Sequence, residues 1–237
     1  MASRGAMKAV ADLDDETIPA WQRQSMLRSL QSARARARAR SNRFVTAATR
    51  LLQERGNTDF TVQDVVDRSR MSIRTFYKYF ASKEDLLVAV YETAVAREAV
   101  PRLRRRIEKH KDPLLRLRAY IATVMDLTTK TGPAGRTLTT FQDRLAESRP
   151  ADLAWAMKPQ FDLLVELIED VTRTQPLRAD LTVETAARLT HYTVLAAARS
   201  RVLGSEGAPG IPTQTIWEFC ASGMGFAAGS SASGSHQ

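Results

Sequence analysis

The segment from Thr61 to Val90 constrains the fold most, because it carries the start signals of three consecutive short helices. Thr61, Ser72 and Ser82 each lie just before a segment in which apolar residues recur at helical spacing. At that position a hydroxyl can accept hydrogen bonds from the free backbone amides of a first helical turn. Residues 69–71 alone separate the first of these helices from the second, which is turn length for two helices that meet at a steep angle. The spacing predicts a helix-turn-helix motif.

Two of the three start signals are predicted capping boxes. Asp64 follows Thr61 by three residues, and Asp85 follows Ser82 by three. Each carboxylate can accept a hydrogen bond from the amide of its cap residue, and it also interacts favourably with the positive end of the helix. We therefore expect sharply defined helix starts at both places.

A further helix is predicted ahead of this pair, since its apolar residues recur at the spacing of one helical face. Gly56 is placed to adopt the left-handed turn that ends such a helix. The three helices are expected to share a small core formed by Phe44, Ala47, Ala48, Leu51, Leu52, Val62, Val65, Val66, Ile73, Phe76 and Phe80.

The third of these helices carries cationic and hydroxyl side chains outside that core, of the kind that bind phosphate oxygens and base edges. They are Arg74, Thr75, Tyr77, Lys78 and Tyr79. The chain has 35 Lys and Arg against 26 Asp and Glu, and a formal net charge of +9. A basic balance favours a polyanionic partner. These features predict a DNA-binding surface; merely solvated side chains on a helical hairpin are the alternative interpretation.

Residues from about Arg43 to Val90 resemble the TetR family of bacterial one-component transcriptional regulators. The most specific match is the block TFYKYFASKEDLL. It is similar to the family's signature of a hydroxyl residue, an apolar residue, a tyrosine, two variable positions, phenylalanine, Ser-Lys-Glu and leucines. Two positions depart from the family pattern. Arg70 replaces the usual turn glycine, so its backbone must either bear the cost of a left-handed conformation or turn differently, and Tyr79 stands where histidine is common.

The resemblance implies which polar residues contact DNA. Arg74, Thr75 and Lys78 would face the bases. The remaining expected DNA contacts, mostly to phosphates, are Arg43, Thr61, Ser72, Tyr77, Tyr79 and Lys83.

The resemblance also implies a homodimer, in which the last two long helices, about 182–203 and 212–227, form a four-helix bundle with those of a partner. A two-fold dimer should recognise a palindromic or near-palindromic operator. An alanine-rich face would permit close approach, although a composition bias would also explain it: Ala186, Ala187, Ala196, Ala197 and Ala198.

Beyond Ser82 the sequence predicts helix after helix without an alternating strand pattern, and one of the predicted breaks is Pro101. We expect an all-α fold, with an N-terminal three-helix DNA-binding domain followed by a larger helical domain for effector binding and dimerisation. The predicted divisions are a basic, flexible extension at 1–40, the helix-turn-helix domain at 41–88, the larger domain at 89–228 and a disordered tail at 229–237.

Four arginines alternate with alanines at the end of the extension, at Arg34, Arg36, Arg38 and Arg40. In a helix they would leave no apolar stripe for docking, whereas an extended chain would form a flexible cationic strip. One hypothesis is an arm that follows the DNA backbone or enters a minor groove. The alternatives are a solvated tail and a simple continuation of the first helix.

In the family, the effector pocket lies inside the larger domain near the helix that links it to the DNA-binding domain. Burial alone would explain most of the candidate residues here. If they line a pocket, they favour an apolar or aromatic ligand with a few polar anchors. They are Tyr91, Tyr120, Met125, Phe141, Trp155, Met157, Phe161, His191 and Tyr192. The expected mechanism is a population shift, in which the ligand releases a homodimeric repressor from its operator.

Other classes of protein are disfavoured. The sequence contains no HExxH, GxSxG or Walker-type loop and no zinc-like cluster of Cys and His, so no enzyme activity, metal or cofactor is expected. The single cysteine, Cys220, is interpreted as a small buried residue, with a redox-sensing thiol as the alternative. Without a signal-like or membrane-spanning apolar run, we expect a cytoplasmic protein. An architectural, sequence-indifferent DNA-coating protein is the main rival.

Overall fold

The computed structural model describes residues 19–129, 132–203 and 210–227, and all regular secondary structure in these ranges is helical. The predicted all-α fold is confirmed. Residues 1–18 of the predicted extension and the predicted tail at 229–237 lie outside the described residues. In chain order the elements are α1 (Ala20–Arg55), α2 (Val62–Ser69), α3 (Ile73–Tyr79), α4 (Lys83–Ala94), a π-helical turn (Val95–Ala99), α5 (Val100–Ile107), α6 (Pro113–Thr129), α7 (Gly132–Ser148), α8 (Pro150–Thr172), α9 (Val183–Leu203) and α10 (Thr213–Met224).

The N-terminal core is centred on three phenylalanine rings. The Phe44 ring packs edge-on against the rings of Phe76 and Phe80, with centroids 5.5 and 6.2 Å apart. Nearly all the predicted core residues are buried, but Val62 is only partly so, and Ile73 is 46 % exposed. Ile73 is the first residue of α3, and its side chain lies beyond the edge of the core. The prediction that it is a core residue is wrong.

Helix α1 is 36 residues long, or about 54 Å at 1.5 Å per residue. The four alternating arginines lie inside it, so the prediction of a flexible, extended strip is wrong for residues 20–40. Alanine and arginine are both strong helix formers, and no glycine or proline interrupts the sequence from Ala20 to Arg55. No side chain between residues 20 and 43 is buried, and Phe44 is the first that is. The extension is a helical continuation of the first helix of the N-terminal domain.

A continuous helical path joins the N-terminal helices to the larger domain, because the break predicted at Pro101 is absent. Proline has no amide hydrogen to donate, and its ring crowds the preceding turn of an α-helix. The π-helical turn lies directly before it, and there the amide of Val100 donates to the carbonyl of Val95. This local widening of the helix accommodates the proline, so the path runs from Lys83 to Ile107.

The core of the larger domain lies between α6, α8, α9 and α10. Leu117, Tyr120 and Leu164 are among its fully buried side chains. Four of the five predicted interface alanines, all except Ala196, are also buried here, within their own subunit. They allow α9 to approach its neighbours in the same chain, so the prediction that they form the dimer surface is wrong. None of the described helices combines the length and apolar character needed to cross a membrane.

Candidate nucleic-acid interface and ligand groove

The N-terminus of α2 is fixed by a complete capping box. The hydroxyl of Thr61 accepts from the Asp64 amide at 3.1 Å, and the Asp64 carboxylate accepts from the Thr61 amide at 2.7 Å. The hydrogen bond from the Thr61 amide, together with Arg55 at 3.2 Å, holds the pKa of Asp64 below its usual value. Ser72 caps α3 by accepting from the Thr75 amide at 3.2 Å. Both helix starts agree with the sequence prediction.

The second predicted capping box forms only in part. Ser82 accepts from the Asp85 amide at 3.1 Å, but the Asp85 carboxylate does not accept a hydrogen bond from the amide of Ser82. That carboxylate instead accepts from Arg149 at 2.8 Å, and this bond lowers the pKa of Asp85. Arg149 is the cap residue of α8 and also bonds to Asp152 in the first turn of that helix. The start of α4 is thereby tied to the start of α8.

The outer face of α3 carries side chains that are available to a partner. Arg74 and Lys78 are exposed, and neither forms an ion pair or hydrogen bond with any described residue. Tyr77 is 57 % exposed. Thr75 is half-buried, with its hydroxyl 2.8 Å from that of Ser72. This face offers cationic and hydroxyl donors in the arrangement that DNA recognition uses.

The other predicted contacts are engaged within the chain. Arg43 donates from Nη2 to the carbonyl of Ser69 at 2.8 Å, which joins α1 to the last residue of α2. Lys83 donates from Nζ to the carbonyls of Thr58 and Phe60 at 3.0 and 3.2 Å. These two side chains therefore stabilise the backbone just before α2 and at its end. Tyr79 is half-buried and packs against the N-terminal core.

Arg70 adopts the left-handed conformation, with φ 53° and ψ 42°. Its amide bonds to the carbonyls of Val66 and Asp67 and so ends α2. Of the two alternatives left open by the sequence, the chain takes the strained one, at a cost of about 1–2 kcal/mol. The usual helix-turn-helix turn is kept without the glycine.

A groove of about 1000 Å³ lies between α8 and α9, close to the end of α7. Four of the nine predicted effector residues line it: Met157, Phe161, His191 and Tyr192. The sequence reasoning missed several other lining residues, namely Gln142, Leu153, Lys158, Val165, Arg188 and Leu195. Together with Met157 and Phe161, the missed residues Leu153 and Val165 recur every four positions along one face of α8, so the period would have identified them once the groove-facing side of α8 was known.

The other five candidates do not line the groove. Tyr120 and Met125 are fully buried in the larger core, and Phe141 is buried in the N-terminal one. Trp155 is 69 % exposed on the outer side of α8. Tyr91, on the linking helix α4, is buried behind the groove wall. Its hydroxyl lies 3.0 Å from the sulfur of Met157, whose side chain does line the groove.

The charges around the groove are largely balanced. Lys158 pairs with Asp162 at 2.7 Å, and Arg188 pairs with Glu184 at 2.6 Å. His191 packs edge-on against the Phe161 ring, with centroids 5.7 Å apart. Burial lowers the pKa of this histidine to about 4, so its imidazole is neutral at pH 7. The groove therefore suits an uncharged ligand with apolar or aromatic surface.

The described residues provide little for metal or thiol chemistry. They contain no group of three or more His, Cys, Asp or Glu side chains placed to hold a metal ion. Cys220 is buried, and burial raises the pKa of its thiol to about 11. A protonated, inaccessible thiol has the character of a packing residue and reacts poorly.

Comparisons with known proteins agree with this geometry. Residues 44–90 match the family model described as bacterial regulatory proteins, tetR family. The fold is similar to that of RolR in complex with resorcinol, with TM-score 0.63, 18 % identity and coverage of 82 % of this chain and 91 % of that one. It is also similar to Thermus thermophilus FadR in complex with lauroyl-CoA, with TM-score 0.62, 19 % identity and coverage of 78 % and 94 %. No protein of curated function matches the sequence.

Proposed function

We propose that this chain, in which residues 44–90 match the model of the TetR family of bacterial regulators, is a homodimeric repressor that binds a palindromic operator and is released by a small-molecule effector. The observation that carries the proposal is the capped recognition helix α3, whose exposed Arg74 and Lys78 have no partner among the described residues. In a helix-turn-helix protein, the N-terminal residues of this helix contact base edges.

The proposed DNA contacts divide into two groups. Arg74, Thr75 and Lys78 read bases, and an arginine that forks onto guanine would contribute about 1–3 kcal/mol of discrimination. The other group positions the protein on the backbone and consists of Arg43, Thr61, Ser72, Tyr77, Tyr79 and Lys83. Within this group, Arg43 and Lys83 act through the carbonyls they hold as well as through their charge, because their donors already bond within the chain.

The helical extension adds a cationic edge to this surface. Helical spacing places Arg36, Arg40 and Arg43 on one side of α1, at positions i, i+4 and i+7. Arg34 and Arg38 lie on the opposite side. We propose that the first side follows the DNA backbone, and that the exposed extension is a helical arm rather than a flexible one.

Two neighbouring helices present the surface proposed for dimerisation. On α9, Leu189 is 56 % exposed and Tyr192 is 62 % exposed, and both lie on one side of the helix with Ala196. On α10, Phe219 is 68 % exposed beside the small residue Gly223, which has open space at its Cα. The two helices pack against each other, and we propose that these side chains form one apolar region. Large exposed apolar patches of this kind are typical of protein interfaces.

The proposed effector site is the groove between α8 and α9, and its ligand is an uncharged molecule with apolar or aromatic surface. Among the similar structures, RolR is in complex with resorcinol and Thermus thermophilus FadR is in complex with lauroyl-CoA. In this chain the balanced ion pairs and the neutral His191 favour a ligand of the first chemical kind over a polyanion.

Two contacts connect this groove to the linking helix. Met157 lines the groove and touches the hydroxyl of Tyr91 on α4, while Arg149 at the start of α8 holds Asp85 at the start of α4. A ligand that moves α8 therefore acts on both ends of the helix that follows the DNA-binding domain. Such coupling is reciprocal, so DNA weakens ligand binding by the same factor.

The proposal is tested by exposing fragmented genomic DNA to the purified full-length protein at near-physiological salt and sequencing the retained fragments. We expect one or a few palindromic sites that survive competition with an unrelated duplex. The genes beside them then nominate ligand classes for a release assay. Broad retention without a motif, lost steeply as salt rises, would overturn the proposal in favour of an architectural DNA-coating protein.

A further inference from the structure

Arg70 combines an unfavourable backbone with a side chain that has no partner. Among the described residues it is the only one other than glycine with a positive φ. Glycine would adopt this conformation without a steric penalty. The Arg70 side chain is exposed and forms no ion pair or hydrogen bond with any described residue. Backbone strain that is not offset by packing points to a functional role for the side chain.

The position of Arg70 places it beside the DNA in the proposed complex. It lies two residues before Ser72, the cap of the recognition helix. The N-terminal end of such a helix enters the major groove, so the residues just before it lie next to the phosphates that border the groove. The left-handed turn directs the chain, and Arg70 with it, along this border.

Arg70 also forms part of a concave cationic site. A cleft of about 300 Å³ lies between α1 and the end of α2. Its cationic lining residues are Arg43, Arg50, Arg68 and Arg70, and no acidic side chain lines it.

Two of these four arginines are already occupied. Arg43 bonds to the carbonyl of Ser69, and Arg68 pairs with Glu54 at 2.6 Å. Arg50 and Arg70 have no such partner among the described residues. In this cleft, Arg50 and Arg70 therefore carry positive charges without counter-ions, whereas the neighbouring Arg43 and Arg68 already have partners.

We infer that this cleft binds a backbone phosphate of the DNA, with Arg50 and Arg70 donating to its oxygens. The planar guanidinium suits phosphate geometry and forms charge-assisted hydrogen bonds. The inference rests on the proposed DNA-binding function and adds a phosphate site outside the recognition helix. It also explains why an arginine occupies a turn position that glycine would fill without strain.

The test is Arg70→Gly, because stability and binding should move in opposite directions. Glycine removes the strain but also loses more conformational freedom on folding than arginine, so the melting temperature should rise by only about 2–4 °C. The same change removes a guanidinium that donates to phosphate, so affinity for a duplex recovered by the genomic selection should fall by about tenfold per subunit. The slope of log affinity against log salt should become shallower by about 0.9 for one subunit, or about 1.8 for a dimer.

Two further variants separate charge from conformation. Arg70→Lys keeps both the cation and the strain, and should retain most of the salt slope. Arg105→Gln is a matched charge control, because Arg105 is exposed and has no partner among the described residues. It lies 22 residues beyond Lys83 on the linking helical path, or about 33 Å away. This control should bind DNA nearly as the wild type does.

The outcomes distinguish the inference from the proposed function. If the wild type recovers no specific duplex, the proposed function fails and the inference fails with it. If the wild type binds but Arg70→Gly keeps the same affinity and salt slope, the inferred binding of a DNA phosphate in the cleft is overturned and the proposed function stands. A second experiment measures the melting temperatures of the wild type and of Arg70→Gly with inorganic phosphate added at constant ionic strength. Phosphate could raise the melting temperature of the wild type but not of Arg70→Gly while both proteins show the same slope of log duplex affinity against log salt. The cleft would then bind free phosphate, and its role in DNA binding would be overturned.

Discussion

Replacing Phe219 by glutamate tests the proposed dimer surface most directly. The side chain is 68 % exposed in the single subunit, on a helix that otherwise packs well. Taking roughly 200 Å² for a phenylalanine, the interface would cover about 140 Å², which contributes about 3 kcal/mol for each side chain. A symmetric dimer contains two copies, so the variant should lose about 6–7 kcal/mol of association free energy if both are fully covered.

Sedimentation of the wild type and of Phe219→Glu at micromolar concentration measures this effect. The expected loss exceeds a thousandfold in the dimer dissociation constant, so the variant should sediment as a monomer. Operator affinity should fall with it, since one subunit presents a single recognition helix. The folded state should persist, because the side chain contributes little to the core of its own subunit.

Trp155→Glu is the matched control. Trp155 is 69 % exposed, also carries a large aromatic ring, and lies on α8 outside the proposed surface. This variant should remain a dimer and keep its operator affinity. The reasoning is refuted if Phe219→Glu stays dimeric with an unchanged dissociation constant, or if both variants dissociate equally.

Three further outcomes follow from the capping hydrogen bonds, the ion pairs and the buried thiol. Thr61→Ala removes the hydroxyl that caps α2 and should destabilise the protein by about 1 kcal/mol, with the melting temperature about 2–4 °C lower; an unchanged melting curve would contradict the cap assignment. Arg149→Gln should cost about 0.5–1 kcal/mol at pH 7 by denaturant titration. Because the folded-state pKa of Asp85 lies below the unfolded value of 3.8, this difference exists above that pH and should disappear as the pH falls through the folded pKa; a difference that does not shrink as the pH is lowered below 3.8 would refute it. Cys220 should react slowly with a thiol reagent at pH 8 and rapidly once the protein is unfolded, and fast labelling of the native protein would show that it is not buried.

The local features of the DNA-binding region could be predicted because they depend on residues a few positions apart. The caps at Thr61 and Ser72 require only a hydroxyl and a nearby amide. For Arg70, the resemblance to a family with glycine at this position left two alternatives, a left-handed backbone or a different turn, and the sequence did not decide between them. Ile73 shows the limit of this approach, since helical periodicity gives the side of the helix but not the edge of the core.

Features that depend on distant parts of the chain could not be predicted. The partner of Asp85 lies 64 residues away, and nothing near Ser82 indicates it. The alanines of α9 were assigned to the wrong surface because small residues permit close packing inside a subunit as well as between subunits. The arginine and alanine alternation was ambiguous for a different reason: helix propensity and charge repulsion favour opposite conformations, and only their balance decides between them.

The size of the interactions between α4 and α8 bears on whether a ligand in the groove could release the DNA. Allosteric coupling in proteins is typically about 1–3 kcal/mol, or a change of about 5–150-fold in affinity. A half-exposed ion pair such as Asp85–Arg149 contributes about 0.5–1 kcal/mol, and a buried hydroxyl such as that of Tyr91 costs about 1–3 kcal/mol when it loses its acceptor. A ligand that displaces Met157 removes this acceptor directly, because the hydroxyl lies 3.0 Å from the sulfur. The two interactions together are therefore large enough to carry coupling of the usual size.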